Sequence, residues 1–321
     1  MRAALTVPLV WIAAPLALLC SPLWLLVALV GDLLRRSRWA WCRGLLFLQL
    51  FLLCEWWGIA ACGWLWLRRR RGSPGWVEGH YAVQRRWAGW LWGGLVRLFA
   101  MDIQVEGQEA LARGPLLAFF RHASTADTVI PMAWMAIPHR VRPRYVIKAE
   151  LRWDPCLDLV GGRIPNAFVR RGAADAGPEI ARVRALTDDL GPHDAVVIFP
   201  EGTRFTAARR QRLIARGRVD DPAGATVAEG LRWTLPPRPG GLTALLQAAP
   251  HVDVALVGHV GFEGARSMAD LFNGRLIGQR VRGRVWRFSA AAVPRDDPYP
   301  WFLQQWEALD RWVDEAMSAA P

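Results

Sequence analysis

A chain of 321 residues, 53% hydrophobic and carrying 19 tryptophans, has room for one large domain or two small ones, and so many indoles suit a water–lipid boundary. The formal charge of +12 is uneven: residues 1–71 hold nine arginines against Asp32 and Glu55, while the other 250 residues carry 31 basic and 26 acidic groups. Basic charge gathered beside apolar segments suits anionic lipid headgroups and removes most of the case for nucleic acid.

The run from Ala3 to Gly31 is uncharged, and from Gly44 to Leu67 the only charge is Glu55. Both exceed the roughly 18 residues of a membrane-helix candidate, and both are far longer than the core of a cleaved signal peptide. Pro8, Pro15 and Pro22 recur every seven residues, which predicts a bent or re-entrant first segment. Arginines flank both ends of the second, so a hairpin with both ends on the cytoplasmic side is expected. Glu55 reads as a carboxylate that snorkels or pairs with a flanking arginine, with a site inside the bilayer as the alternative. The five cysteines show neither redox nor zinc spacing, and no metal or disulfide is expected.

"RGSPG" closes this anchor, residues 1–71. The stretch 72–100, rich in tryptophan and carrying Arg85, Arg86 and Arg97, predicts an amphipathic helix that is either interfacial or buried. From residue 101 to 321 short apolar runs alternate with helical ones. Strands are expected in "DIQVEG", "PLLAFF", "RYVIKA", "AVVIFP", "VDVALVGHV" and "VRGRVWRFSAA". Helices are expected in "TADTVIPMAWMAI", "GPEIARVRALTDDL", "GLTALLQAA" and "WFLQQWEALDRWVDEAM", with residues 206–230 as a mobile excursion. The pattern is α/β, a mixed buried sheet flanked by helices, with an N-terminal hydrophobic helical membrane anchor.

Two stretches carry chemistry. In "RHASTAD", His122 sits on the loop after a strand and Asp127 five positions on. A neutral imidazole oriented by a carboxylate is the natural general base near pH 7. Within one straight helix such positions diverge, but a loop histidine can meet a first-turn aspartate. The structural alternative is that Ser124 and Asp127 cap the helix while His122 is a bystander. In "VVIFPEGTRF", a buried strand runs into a turn made by Glu201, Gly202, Thr203 and Arg204. Glycine admits close backbone approach and arginine forks onto phosphate; alone, the stretch reads equally as a strand exit with an exposed ion pair.

Together, H-x4-D and FPEGTR some 75 residues apart resemble the signature of the glycerolipid acyltransferases related to lysophosphatidic acid acyltransferase, over roughly residues 100–265. "FVRR" is similar to the family's arginine block and puts Arg171 in the matching place. "RYVIKAELRWDP" resembles its lysine element, which carries Lys148, and "LPPRPGGLTALLQ" makes Arg238 a further candidate. The resemblance implies that His122 takes the proton from a lysophospholipid hydroxyl as it attacks an acyl thioester, with Asp127 holding the imidazole. It also implies that Arg204, with Glu201, Gly202 and Thr203 shaping the turn, binds the acceptor phosphate, assisted by Arg171. A backbone amide near Gly202 is the candidate oxyanion donor.

Two positions depart from the family pattern: Arg121 stands where asparagine is common, and the fourth block appears as "VALVGHVGF", with Gly258 in place of a proline. No cofactor is implied. The expected partners are lysophospholipid, membrane lipids, and acyl-CoA or acyl-carrier protein as donor, at the cytoplasmic face of a bacterial inner membrane. Lysophosphatidic acid is the first acceptor, and lysophosphatidylcholine or glycerophosphocholine comes next. The rival outside enzymology is an inactive lipid-binding scaffold. A serine hydrolase would want G-x-S-x-G, and a P-loop would want its Gly-Lys pair; both are absent from the sequence.

Overall fold

The structure is a computed structural model that describes residues 2–170 and 176–319. The chain divides into two compact units with interleaved sequence: Met1–Asp102, Ile147–Gly172 and Ser267–Gln279 form the first, and the remainder forms the second. The opening segment of the first unit ends at Asp102, and residue 71 lies inside it.

The first unit opens with α1 (Arg2–Leu19) and α2 (Ser21–Arg35), followed by α3 (Ala40–Arg68) and α4 (Pro74–Leu98). The helix of this apolar run is interrupted at Cys20. Pro22 falls in the first turn of α2, where its missing N–H leaves no hydrogen bond unmade. Among the described residues, α1 and α3 are the two helices long and apolar enough to cross a membrane. Leu9, Ile12, Leu16, Leu23 and Leu34 stand exposed along α1 and α2, an unshielded apolar surface of the sort a lipid phase covers.

Glu55 neither snorkels nor meets an arginine. It is buried, accepts the indole N–H of Trp87 at 3.0 Å and the backbone N–H of Cys156 at 3.1 Å, and so ties α3 to α4 and to the short Pro155–Gly161 helix. The α4 segment resolves toward the buried alternative, since Trp76, Tyr81, Val83, Ala88, Leu91 and Leu95 are all covered. Arg85 pairs with Glu78 and Arg86 lies over the Trp57 ring. "RGSPG" ends α3 and starts α4, because the Ser73 hydroxyl accepts the Trp76 N–H and Pro74 occupies the first turn.

The strands among the described residues are β1 (Asp102–Glu106), β2 (Leu116–Phe120), β3 (Arg142–Lys148), β4 (Ala167–Val169), β5 (Asp194–Ile198), β6 (Asp253–Val260) and β7 (Arg280–Phe288). In the second unit they run in the order β1-β7-β6-β2-β5-β3. β2 is buried at every position and pairs parallel with β5 on one side and β6 on the other. β3 runs parallel to β5, and β7 antiparallel to β6, so the sheet is mixed and flanked by helices, as the pattern predicted. The C-terminal helix Pro298–Ser318 buries Phe302, Trp306, Leu309 and Val313 at helical spacing, each such side chain contributing about 1.5–3 kcal/mol of hydrophobic stabilisation. Gly258 has its reason here: a Cβ at that position would stand 3.0 Å from the Trp312 ring.

Residues 206–230 are not an irregular excursion. They form helices Ala207–Asp220 and Pro222–Gly230, started by the Thr206 hydroxyl on the Arg209 N–H and by the Asp221 carboxylate on the Gly224 N–H. Arg210 then closes the pair onto the carbonyls of Ala228, Glu229 and Leu231. The segment after "RHAS" departs the other way. In place of one α-helix it makes a 3-10 turn at Ala126–Val129 and a π turn at Met132–Ala136, with Pro131 between them, and proline breaks the regular ladder.

Candidate active site

Adjacent parallel strands point their C-terminal ends to the same edge of the sheet, and loops there are where ligands bind in such folds. β2 ends at Phe120 and β5 at Ile198, with Phe119 and Ile198 in register. The His122 loop and the Glu201–Arg204 turn therefore emerge side by side. Backbone contacts stitch them together: the Phe205 N–H donates to the His122 carbonyl at 2.7 Å, and the His122 N–H donates to the Glu201 carboxylate at 2.5 Å.

His122 Nδ1 lies 3.1 Å from Asp127 Oδ2. The His122 side chain is 12% exposed and Asp127 is fully buried. The ring packs on Phe199, centroids 4.7 Å apart, and its Nε2 has no hydrogen-bond partner among the described residues. Asp127 does more than orient the imidazole. Its carboxylate also accepts the N–H groups of Ala123 and Ser124 and the Ser124 hydroxyl, at 2.5, 2.6 and 2.6 Å. The contact to His122 and the bonds that hold the loop are thus made by one carboxylate. Burial works to raise the Asp127 pKa, but His259, the His122 contact and the Ser124 hydroxyl outweigh it and bring the group to about 2.

Behind this pair lies a network that the sequence did not reveal. The Arg121 guanidinium is buried and donates to the His259 carbonyl at 2.5 Å, to Glu263 at 2.9 Å and to the Trp233 carbonyl at 3.0 Å. His259 Nε2 donates to the Arg121 carbonyl at 3.1 Å and stands 3.4 Å from Asp127 Oδ1. Burial keeps the His259 pKa below the usual range, so at neutral pH it acts as a neutral N–H donor. The two departures from the family pattern are one structure, since Arg121 and the "GHVGFE" stretch bind each other. A polar side chain inside an apolar strand, with an acidic residue four positions on, was the available signal.

Glu201 is buried and directed inward, holding the N–H of His122 and, at 3.0 Å, that of Leu235. Burial pushes its carboxyl up to about 8 against the pull of these donors and of Arg121. It is a brace for the His122 backbone rather than a ligand contact. Gly202 has φ +68°, and its N–H donates to the Phe199 carbonyl within the turn, so that amide is not available as an oxyanion donor. Arg204 reaches the Thr125 hydroxyl at 2.5 Å and the Arg266 carbonyl, both through Nη1. Arg238 runs along Gly202, with its own N–H on the Pro200 carbonyl. Thr203 is half-buried beside them. Lys148 lies in the first unit, 3.6 Å from Glu150, and Arg171 lies outside the described residues.

Residues 102–257, just under half of the chain, match the family model described as Acyltransferase. Its fold is similar to that of the 1-acyl-sn-glycerophosphate (LPA) acyltransferase PlsC from Thermotoga maritima. The TM-score is 0.53 at 16% identity, covering 87% of this chain and 99% of that one. A search of the curated proteins found no match.

Proposed function

We propose that the protein transfers a fatty acyl group from a thioester donor, acyl-CoA or acyl-carrier protein, to the free hydroxyl of lysophosphatidic acid at a membrane surface, yielding phosphatidic acid. The observation that carries this reading is the 3.1 Å contact of His122 Nδ1 with Asp127, which leaves Nε2 without a hydrogen-bond partner among the described residues. In that tautomer Nε2 accepts the acceptor's hydroxyl proton as the oxygen attacks the thioester carbonyl. The proton passes to the departing thiolate when the tetrahedral intermediate collapses, and no covalent enzyme intermediate is required. Arg204, in the turn, and Arg238, which runs along Gly202 of the same turn, supply the positive charge for the acceptor phosphate. The exposed apolar surface of α1 and α2 supports action at a bilayer, where acceptor and product both reside.

The test is a competition assay with labelled oleoyl-CoA and an equimolar mixture of lysophosphatidic acid, lysophosphatidylcholine, lysophosphatidylethanolamine, glycerol-3-phosphate and glycerophosphocholine. His122→Ala is the blank. Label in phosphatidic acid supports the reading, label in phosphatidylcholine moves the acceptor to a headgroup-bearing lysolipid, and turnover by the blank overturns the role of His122.

A further inference from the structure

The pair of helices at 207–230 walls a cavity of about 680 Å³ whose lining includes Thr203, Arg209, Arg212, Arg216, Arg238 and Tyr299. The arginines of the first helix fall into two sets. Arg210 and Arg218 hold the helices together, on the carbonyls described above and on Glu229. Arg209, Arg212 and Arg216 recur at three- and four-residue steps and therefore share the other face. Arg212 and Arg216 are exposed and have no hydrogen-bond or ion-pair partner among the described residues. Closing the helix pair requires neither of them.

The three guanidiniums extend over about 10 Å along the helix axis, at ~1.5 Å per residue. A lysolipid phosphate is a single anion that one or two forks can hold, and Arg204 and Arg238 already stand at the turn. The spread of the stripe instead matches a ligand with several phosphates spaced along its length. Tyr299, whose hydroxyl donates to the Pro237 carbonyl, and the Pro236–Pro237 pair add flat apolar surface suited to a purine. The same cavity includes Glu201, which braces the His122 backbone. Asp220 and Asp221 line it as well, and Asp221 is engaged with the Gly224 N–H.

We infer that this arginine-lined cavity binds the nucleotide end of an acyl-CoA donor, its diphosphate and 3′-phosphate lying on Arg209, Arg212 and Arg216, with the thioester arm directed toward His122. The inference rests on the acyl-transfer reading for its donor, but the binding it claims is measurable without turnover.

Full-length protein in detergent is titrated calorimetrically with adenosine 3′,5′-bisphosphate and with adenosine 5′-monophosphate. The bisphosphate is expected to bind the more tightly, and Arg212→Ala/Arg216→Ala to weaken it by about tenfold for each arginine removed, the size of a lost charge-assisted hydrogen bond. In turnover, KM for acyl-CoA rises by the same factor, while KM for the lysolipid and the melting temperature stay unchanged. Arg218→Ala, on the opposite face, leaves donor KM as it was. If the double variant lowers the melting temperature, Arg216→Gln alone takes its place. Absence of bisphosphate binding, binding that survives the substitutions, a rise in KM for the lysolipid instead, or a loss confined to acyl-carrier protein as donor would each overturn the inference. Nucleotide binding lost with the arginines in a protein that transfers no acyl group would leave the cavity assignment standing and sink the proposed function instead.

Discussion

His259 Nε2 stands 3.4 Å from Asp127 Oδ1, the carboxylate oxygen that His122 does not use. The aspartate is thus approached from both sides, by a partly exposed imidazole and by a buried one whose N–H also donates to the Arg121 carbonyl. His259→Phe keeps the ring's bulk and removes the N–H. We expect kcat to fall about tenfold, the scale of an acceptor left without its donor, with acceptor KM little changed. His259→Gln, which restores an N–H, recovers most of the loss. A purely packing role for His259 predicts the reverse order of the two variants.

Asp127→Asn removes both of the carboxylate's jobs. Turnover drops by about a thousandfold, as for other general-base systems, and the melting temperature falls as well, because an amide cannot accept the Ala123 and Ser124 N–H groups and orient His122 together. The pH signature follows from the depressed pKa, about 2 against an ordinary 3.8. The carboxylate's stabilisation is present above pH 4 and is lost as the pH falls through 2, an effect of about 2 kcal/mol. Melting curves between pH 5 and pH 2 should lose that component in the variant.

Glu201 titrates in the opposite sense. Its carboxyl is raised to about 8, so the stability it contributes is present below the unfolded value near 4.5 and is lost as the pH rises through 8. Glu201→Gln turns an NH2 toward one of two N–H donors, which makes the variant the less stable protein at pH 5. The gap should narrow by pH 9, where only the wild type has acquired a buried charge. Melting curves run in parallel across that range would show an unchanging gap if the carboxylate were simply a surface ion.

Gly202→Ala places a methyl group 2.8 Å from Arg238 Nε at a φ of +68°. Strain of about 1–2 kcal/mol is expected, together with displacement of Arg238. KM for the ligand that Arg238 holds should rise more than kcat falls. Equal effects on all kinetic parameters would mean that the turn, and not Arg238, had been disturbed.

The sheet was legible in the sequence because its strands are apolar runs of the right length, and the His122–Asp127 meeting because a loop can bring together residues that a helix separates. The 207–230 helices were not legible: a highly charged stretch resembles a solvated loop until Arg210 is seen closing the pair. Nor was the inward turn of Glu201, since an acidic residue beside Gly202 reads as exposed unless one knows that the His122 and Leu235 amides wait beneath it. Arg121 and His259 sit 138 residues apart, and only the pairing of β2 with β6 makes them neighbours.

The interleaving of the first unit bears on how the chain is made. Helices α1 to α3 leave the ribosome early, yet Cys156, whose amide meets Glu55, comes long after, and residues 267–279 come later still. The apolar helices must therefore wait, unfinished, while most of the second unit is synthesised, with their apolar surface unpacked in the meantime. For the same reason, cutting the chain after residue 71 or 100 removes no self-contained unit. It strips two internal segments of their partners, and deletions of that kind are expected to aggregate rather than yield a soluble enzyme.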